Sequence, residues 1–569
     1  MQISHDNLSP FPTNPDEYSQ SHKQQRNNNH IYTIKNLLYT RINSLKSSNY
    51  IKALLFGDNK LDKEIKTSYQ INGISHLFSV SGFHINFITS IIYFYLDRVT
   101  YNKKIKYITV DIFLVLYLLL CNTTSLLRCT VMNILLSINH LLKLNIKKID
   151  IVLLTLILCI IINPFIIYDI GFIYSYTISF FLILYKNKYK TNNKLLKIIY
   201  ISLISFLVSL PINIYTSYEI NFLSIILNII IVPIVSLILL PLSLLTLIFP
   251  ILDNILYLIT SILEKISLYT SNINIFKQIL SKPSIILIII YYLVIILILS
   301  KNKHYYLILI LLIFHKTIPL YNSNLEVVMF DVGEADSMLI STPSKKVNIL
   351  IDTGRGIDIN NIIIYLKSIG ISKLNYLIIT HGDEDHIGGA LYLIDNFKVD
   401  NVILNKGDYT ELEVELITHL KNKNIKYTNN INKIPLLGSY MYLLNTKKFS
   451  NENDNSIVTY FEYQKYKFLF MGDSSSKTEE YLINNYNLTN ISFLKVGHHG
   501  SNTSSSPLFI NKITPKVSLI SVGRNNFYHH PNKEVLTNLS NSVIYRTDIN
   551  KSIKIKINNK VKITKLNNN

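Results

Sequence analysis

The chain has no tryptophan and only three cysteines in 569 residues. Cys121, Cys129 and Cys159 all sit in or beside apolar segments. Their spacing matches no cysteine-type metal site, and three cysteines make no disulfide framework. They read as small packing residues. The missing tryptophan accompanies an excess of Ile, Asn, Lys and Tyr, the skew of an AT-rich genome, so the abundance of Lys or Asn carries little weight. Negative charge is also scarce, with 36 acidic against 56 basic side chains and a net charge of +20. No secretory signal opens the chain. Residues 1–30 are polar, rich in Asn, Ser and Gln, and read as disordered. No internal repeat is present.

What is there is apolar. At 49% hydrophobic the chain is too greasy for a purely soluble protein and too long for one domain. Residues 1–320 carry about 28 basic and 13 acidic side chains, and residues 321–569 about 28 and 23. The excess of base therefore lies in the apolar half. About nine or ten runs of near-spanning length follow one another there, some short enough to be re-entrant, with approximate cores at 77–96, 107–127, 129–142, 151–168, 171–185, 198–214, 221–249, 254–270, 284–300 and 305–319. Pro233 and Pro241 are expected to kink or break the long run 221–249, and broken helices in membranes line cavities. Arg98 to Lys106, Lys143 to Lys148, Lys186 to Lys197 and Lys301 to Lys303 fall in alternate loops. The positive-inside rule makes those loops cytoplasmic and puts the region after Pro319 outside. Residues 31–75 conflict with that side, being basic, and are expected to lie along the membrane surface as amphipathic helices.

After Pro319 the apolar runs shorten to strand length: 325–330, 347–351, 376–379, 457–461, 468–471, 517–522 and 553–557. Helical stretches at 362–369 and 411–421 alternate with them. The expected organisation is thus a polytopic α-helical membrane domain over 76–320 followed by a soluble α/β domain over 321–569. One stretch of that domain stands out. Leu374 to Ile379 reads as a buried strand, and Thr380-His381-Gly382-Asp383-Glu384-Asp385-His386-Ile387-Gly388-Gly389 follows it. In an extended turn this spacing can point His381, Asp383, Asp385 and His386 at one centre, and His and Asp are ligands for zinc or manganese. Other strand ends carry the same residue types: Asp331 to Ser337, Asp352, Asp473, His498-His499 and His529-His530. Sites of α/β proteins are built at strand ends.

This order resembles the metallo-β-lactamase fold, an αββα sandwich with a two-metal site at one edge. The resemblance implies that His381 and Asp383 hold a first metal and that Asp385 and His386 hold a second. It makes Asp473 the bridging carboxylate and His499, rather than His498, the last ligand. Asp383 stands where the wider family has a second His, as in the ComEC branch. The family's third-motif His is missing, with Asn455-Ser456 at about that place. Two divalent ions, zinc or manganese, are the implied cofactors. Asp331, Asp336, Asp352, His498, Asn455 and Ser456 are expected around the ligands. Asp385 could orient the attacking water, and His530 could protonate a leaving alkoxide or be a surface histidine in a turn before proline.

The apolar half resembles the competence domain of ComEC-type DNA-uptake channels. Ala53 to Asp58, Gly73 to Ile85, Asn163-Pro164, Asp169 to Phe172 and Asn228 to Pro233 carry the likeness. Members usually have an oligonucleotide-binding-type domain and a leading span or two before this core. Here about 50 mostly polar residues precede it, and the family's Gly-Gln-Gly-Asp is Gly333-Glu334-Ala335-Asp336. The resemblance implies an inner-membrane, multi-pass channel for single-stranded DNA in natural transformation. An external metal-dependent nuclease would degrade the strand not taken up. Ser79, Ser81, Gly82, His84, Asn228 and Pro233 are the expected channel wall. DNA and the lipid bilayer are the implied partners, with a separate DNA receptor and cytoplasmic translocation proteins alongside. Two rivals stand: a membrane-anchored metallohydrolase without transport, and a channel whose hydrolase domain does not cut.

Overall fold

The computed structural model describes residues 30–186, 191–301, 304–445 and 447–566. The expected disordered stretch lies, but for His30, outside them, as do Lys188, Lys190 and Lys303 of the basic loops. The chain divides into two units. One is Met1–Asn213 with Ile220–Gln278 and Ile289–Tyr305; the other is Tyr306–Asn569 with Ile214–Glu219 and Ile279–Ile288.

The first unit is helical. Apolar runs become helices such as Gly82–Val99, Lys103–Cys121, Thr124–Leu141, Lys148–Ile162 and Ile170–Leu184. Their ends are set by caps: the Asn102, Thr123 and Asp169 side chains accept from first-turn amides, and Asn122 takes the left-handed conformation after Cys121. Among the described residues two helices, Leu195–Ser217 and Leu223–Ile248, are long and apolar enough to cross a membrane. Ile170–Leu184 and Ile285–Ser300 are apolar but shorter, as is Tyr306–Tyr321 at the start of the other unit's last segment.

The run expected to kink or break at Pro233 and Pro241 does not break, but its winding changes between them. Pro233 lies inside Leu223–Ile234, a π-turn follows over Val235–Leu239, and Pro241 falls in the first turn of Leu240–Ile248. Neither proline has an amide hydrogen to donate to the preceding turn, and between them the Leu240 amide closes a π-turn on the Val235 carbonyl. Segment 31–75, expected along a membrane surface, turns apolar side chains inward: Ile51, Leu54 and Tyr69 share one core with Phe78, Leu114, Leu126, Leu240 and Leu256.

The second unit holds two sheets. In the first, β1 (Leu325–Met329), β2 (Met338–Ser341), β3 (Asn348–Ile351), β4 (Tyr376–Ile378), β5 (Asn401–Ile403) and β6 (Lys426–Thr428) pair in chain order. In the second, β7 (Lys433–Leu436), β8 (Ser439–Leu443), β9 (Thr459–Tyr463), β10 (Tyr466–Phe470), β11 (Phe493–Lys495), β12 (Val517–Ile520) and β13 (Val543–Arg546) do the same. The chain then returns to the first sheet, where β14 (Ser552–Ile557) pairs with β1 and β15 (Val561–Leu566) closes the edge. Each sheet starts as an antiparallel meander and becomes parallel, from β3 to β6 and from β10 to β13.

Parallel strands are covered on both faces, and these are. Val327, Ile340, Ile349 and Ile378 face Met441, Phe461, Phe468 and Leu519 between the sheets. Phe461 stacks on its cross-strand partner Phe468 at 4.5 Å. On the outer faces, Leu339, Leu350 and Leu377 meet Ile362, Leu366, Leu393 and Leu416 of helices, while Leu469 and Leu494 meet Leu482, Phe509 and Val535. The result is the helix–sheet–sheet–helix sandwich expected from the resemblance. Strands β3, β4, β10, β11 and β12 end toward one edge, where the ligand-type residues gather.

Candidate metal centre

The site is built from loops that leave those strand ends. After β4, Thr380 and His381 are fully buried, and a short helix, Glu384–Ile387, carries Asp385 and His386. The turn must pass close to its neighbours: a Cβ on Gly382 would stand 2.2 Å from Thr410 Oγ1. After β3 comes Asp352, after β10 Asp473, and after β11 the pair His498-His499.

Each buried imidazole is anchored through Nδ1. That of His386 is 2.8 Å from Asp352 Oδ2, and Asp352 is itself held by the Thr380 amide and hydroxyl, both donating at 2.7 Å. That of His499 is 2.9 Å from the Ser521 carbonyl oxygen. That of His381 lies 3.1 Å from Thr380 Oγ1 and 3.3 Å from Ser456 Oγ, which also accepts from the Asp473 amide. The other ring nitrogens, Nε2 of His381, His386 and His499, are buried without a hydrogen-bond partner among the described residues, and so is Oδ1 of Asp473. They nevertheless crowd together. His386 Nε2 lies 3.3 Å from Asp473 Oδ1, and His499 Nε2 lies 3.4 Å from Asp385 Oδ2 and 3.6 Å from Asp473 Oδ2. Asp385, His386, Asp473 and His499 can offer one atom each within 4.8 Å of one another.

Orphaned buried donors and acceptors are costly, and rings fixed through Nδ1 with Nε2 left open are the way histidines present themselves to a metal. The charges agree. Asp336, Asp352, Asp385 and Asp473 against the one ammonium of Lys495 leave three negative charges, four less one, at this edge. Positive charge is needed to balance them. Burial alone would lower the His499 imidazole, but the Asp473 and Asp336 carboxylates raise it to about 9. Burial would likewise raise Asp385, yet the neighbouring His499 and His386 hold it down at about 2. A divalent ion fits this donor set.

The expected residues do not all join. Asp383, paired with His381 in the first-metal expectation, does lie 3.4 Å from His381 Nε2, but its side chain is half exposed and outside the four-residue cluster. His498 is partly exposed, with Nε2 3.9 Å from Asp473 and Nδ1 3.1 Å from Thr503 Oγ1. Asp336 is buried beside His386 and His499. Asp331 is not in the cluster; its amide donates to Ser552 Oγ, and its nearest charges are those of Arg524, Lys551 and Asp548. Asn455 brackets Phe449 through backbone bonds instead of facing the cluster. His530 stacks on Tyr528, with its ring centre 6.1 Å from that of His498, at the rim.

Sequence reasoning missed Lys495. Its side chain is buried at the end of β11, paired with Asp336, donating to the Gly472 carbonyl at 2.9 Å and 3.7 Å from Asp473. Those carboxylates raise its ammonium, against the lowering effect of burial. A lysine inside an apolar strand, Phe-Leu-Lys-Val, was the signal available. Asp454 was missed too; it receives the Ser475 amide and hydroxyl and so ties the third-motif loop to the loop after Asp473.

Residues 54–303 match the competence-protein family, and residues 330–524 match the metallo-β-lactamase superfamily, which implies divalent-metal binding. ComE operon protein 3 of Bacillus subtilis is 27% identical over 90% of this chain and 72% of its own length. Competence protein ComA of Neisseria gonorrhoeae is 30% identical over 37% of this chain and 28% of its own. Recombination protein 2 of Haemophilus influenzae is 30% identical over 38% and 26%. A metal-dependent hydrolase of the β-lactamase superfamily with a solved structure aligns with 39% of this chain and 95% of its own, at 14% identity and a TM-score of 0.28.

Proposed function

From a chain that joins a competence domain to a metallo-β-lactamase domain, consistent with a ComEC-type protein, we propose a channel-nuclease for DNA uptake in natural transformation. The helical unit passes one DNA strand across the inner membrane in several spans, and the sandwich, on the outer side, cuts the strand left behind. Outward-facing apolar side chains support the bilayer reading. Ile105, Ile108, Ile112, Leu116 and Leu119 of one helix are each about half exposed and fall on one helical face, as do Leu154, Ile157 and Ile161 of another.

The observation that carries the nuclease is the set of open Nε2 atoms of His386 and His499 facing Asp385 and Asp473. One or two divalent ions held there would polarise a phosphate oxygen and acidify a water. Asp385, the most exposed of the four at 24% of its side chain, is placed to orient that water. Asp473 lies between the two imidazoles and would hold the ion with them. His530, at the rim, has its imidazole kept low by burial and by His499 and His498; it gives a proton to the leaving oxygen only below that lowered value.

Ser456 favours a second reading. It stands beside His381 where a third-motif histidine would be, so His381 has one half-exposed carboxylate, Asp383, as company. The first metal position is then weak, and the domain binds DNA without cutting. One experiment separates the readings. The purified full chain is incubated with linear duplex DNA and manganese or zinc, wild type beside Asp385→Ala. Cleavage that needs both the metal and Asp385 is expected. A folded wild-type protein that binds DNA but fails to cut it with any divalent ion added points to the non-cutting channel. Unimpaired transformation of a deletion strain would leave only an anchored hydrolase.

A further inference from the structure

Arg128, in the helix Thr124–Leu141, is 7% exposed. It is the one buried arginine among the described residues, and no carboxylate there lies within ion-pair distance of it. Among the described residues its Nε has no partner, and Nη2 has only the Cys129 thiol, at 3.8 Å. A guanidinium keeps its charge under all ordinary conditions, and an enclosed, unpaired charge is strongly unfavourable. Its fork of donors matches the oxygens of a carboxylate or a phosphate.

The fork reaches a particular place. A Cβ at Gly82 would stand 3.4 Å from Arg128 Nη2, so the guanidinium lies against the first turn of the 18-residue helix Gly82–Val99. His84 belongs to the same turn and is 2% exposed. Its Nδ1 is 2.6 Å from Ser81 Oγ and accepts from the Ser81 amide at 3.2 Å, which fixes the ring. Its Nε2 is buried without a partner among the described residues. Two enclosed polar groups with unfilled hydrogen-bonding capacity thus stand at the first turn of one helix, the end that favours an anion.

We infer that Arg128, His84 and the first turn of Gly82–Val99 form an anion site that takes one phosphodiester group of the passing DNA strand. The inference rests on the uptake reading above, which supplies the polyanion. It also answers a difficulty of that reading: the helices carry few basic residues, so the path has one fixed charge in place of a ladder. A single contact holds the backbone without trapping it, and it reads no base, as transport of any sequence requires.

The test uses the full chain in maltoside detergent, in an Asp385→Ala background so that DNA is not cut. Binding of a fluorescein-labelled thymidine oligonucleotide is followed against salt. Arg128→Met is expected to weaken binding about tenfold. It should also lower the slope of log affinity on log salt by about 0.7, one phosphate contact to a single strand. In cells Arg128→Met, with Asp385 intact, should abolish import of labelled DNA while surface cleavage continues. Should Arg128→Met not fold, Arg128→Lys keeps the charge but not the fork, and a severalfold loss of import is expected from it. Unchanged salt slope and import in a folded variant would overturn the site while leaving the uptake reading intact. Displacement by soluble short-chain phosphatidylglycerol of a probe lipid, lost in Arg128→Met with DNA affinity unchanged, would assign the site to lipid and overturn it as well. Absence of import by the wild type itself would overturn the uptake reading and this inference together.

Discussion

At Lys495 a single ammonium neutralises Asp336 inside the protein, behind His386 and His499. Removing one partner of such a pair leaves an uncompensated charge. Lys495→Met should therefore destabilise the protein by about 3–5 kcal/mol, and adding Asp336→Asn should recover much of that. Thermal melts of the four proteins in this cycle check it; strictly additive losses would show that the two charges do not act as a pair. Asp352 acts through His386 in another way, by fixing its ring. Asp352→Asn should weaken metal binding about 10- to 100-fold, while Asp383→Ala should do the least of the surrounding carboxylates. Metal content by mass spectrometry at limiting zinc would rank them. Away from the site, Glu326 is enclosed with Lys345 at 2.7 Å and Lys554 at 3.0 Å. Burial pushes its carboxyl up, but the two ammonium groups outweigh burial and hold it at about 2. A depressed carboxyl adds stability above its unfolded value, near 4.5, and loses it as pH falls toward 2. Glu326→Gln should melt lower than wild type at pH 7, and the gap should close as pH drops below 4.5. Burial also pulls the Lys345 ammonium down, which offsets part of the gain.

At the scale of the element, the turn Gly497 to Ser501 sets where His499 points. His498, His499 and Gly500 all have positive φ, at 46°, 52° and 82°. Two non-glycine residues in that region are strained, and such strain persists where surrounding structure holds it. Gly500 must also approach Pro531, whose Cβ would be 2.6 Å from an added Cβ. Gly500→Ala should lower both the melting temperature and the metal content, through the shifted His499 ring. A variant with full metal content would show that the turn tolerates the shift. The neighbouring helix Glu411–Asn422 begins with a capping box of Thr410 and Glu413, and Thr410 also donates to the Gly382 carbonyl at 3.2 Å. Thr410→Ala should cost about 1 kcal/mol from the cap alone. An additional loss of metal would mark the second contact.

Over the whole molecule, charge and hydropathy sort the chain. The basic half is the apolar half, and its helices expose aliphatic faces. Helix type there was legible because long apolar runs leave few alternatives. The π-turn after Pro233 was not, since a proline can break a helix or be absorbed by it, and packing of Val235 and Leu239 decides which. In the sandwich, the strands with clear apolar runs were legible, with ends shifted by a residue or two. The short buried strand Met338–Ser341 has no period-2 pattern to betray it. The sequence by itself determined which loops carry chemistry, because His, Asp and Gly clustered at strand ends have few other uses. Only the tertiary structure decided which members face one another. Asp385, His386, Asp473 and His499 converge, Asp383 stays half in solvent, and Asp331 and Asn455 turn elsewhere. Lys495 and Arg128 likewise acquire meaning only in three dimensions. A charge has no sign of function in a string; what matters is which partners the fold places within a few ångströms, and whether water can reach them.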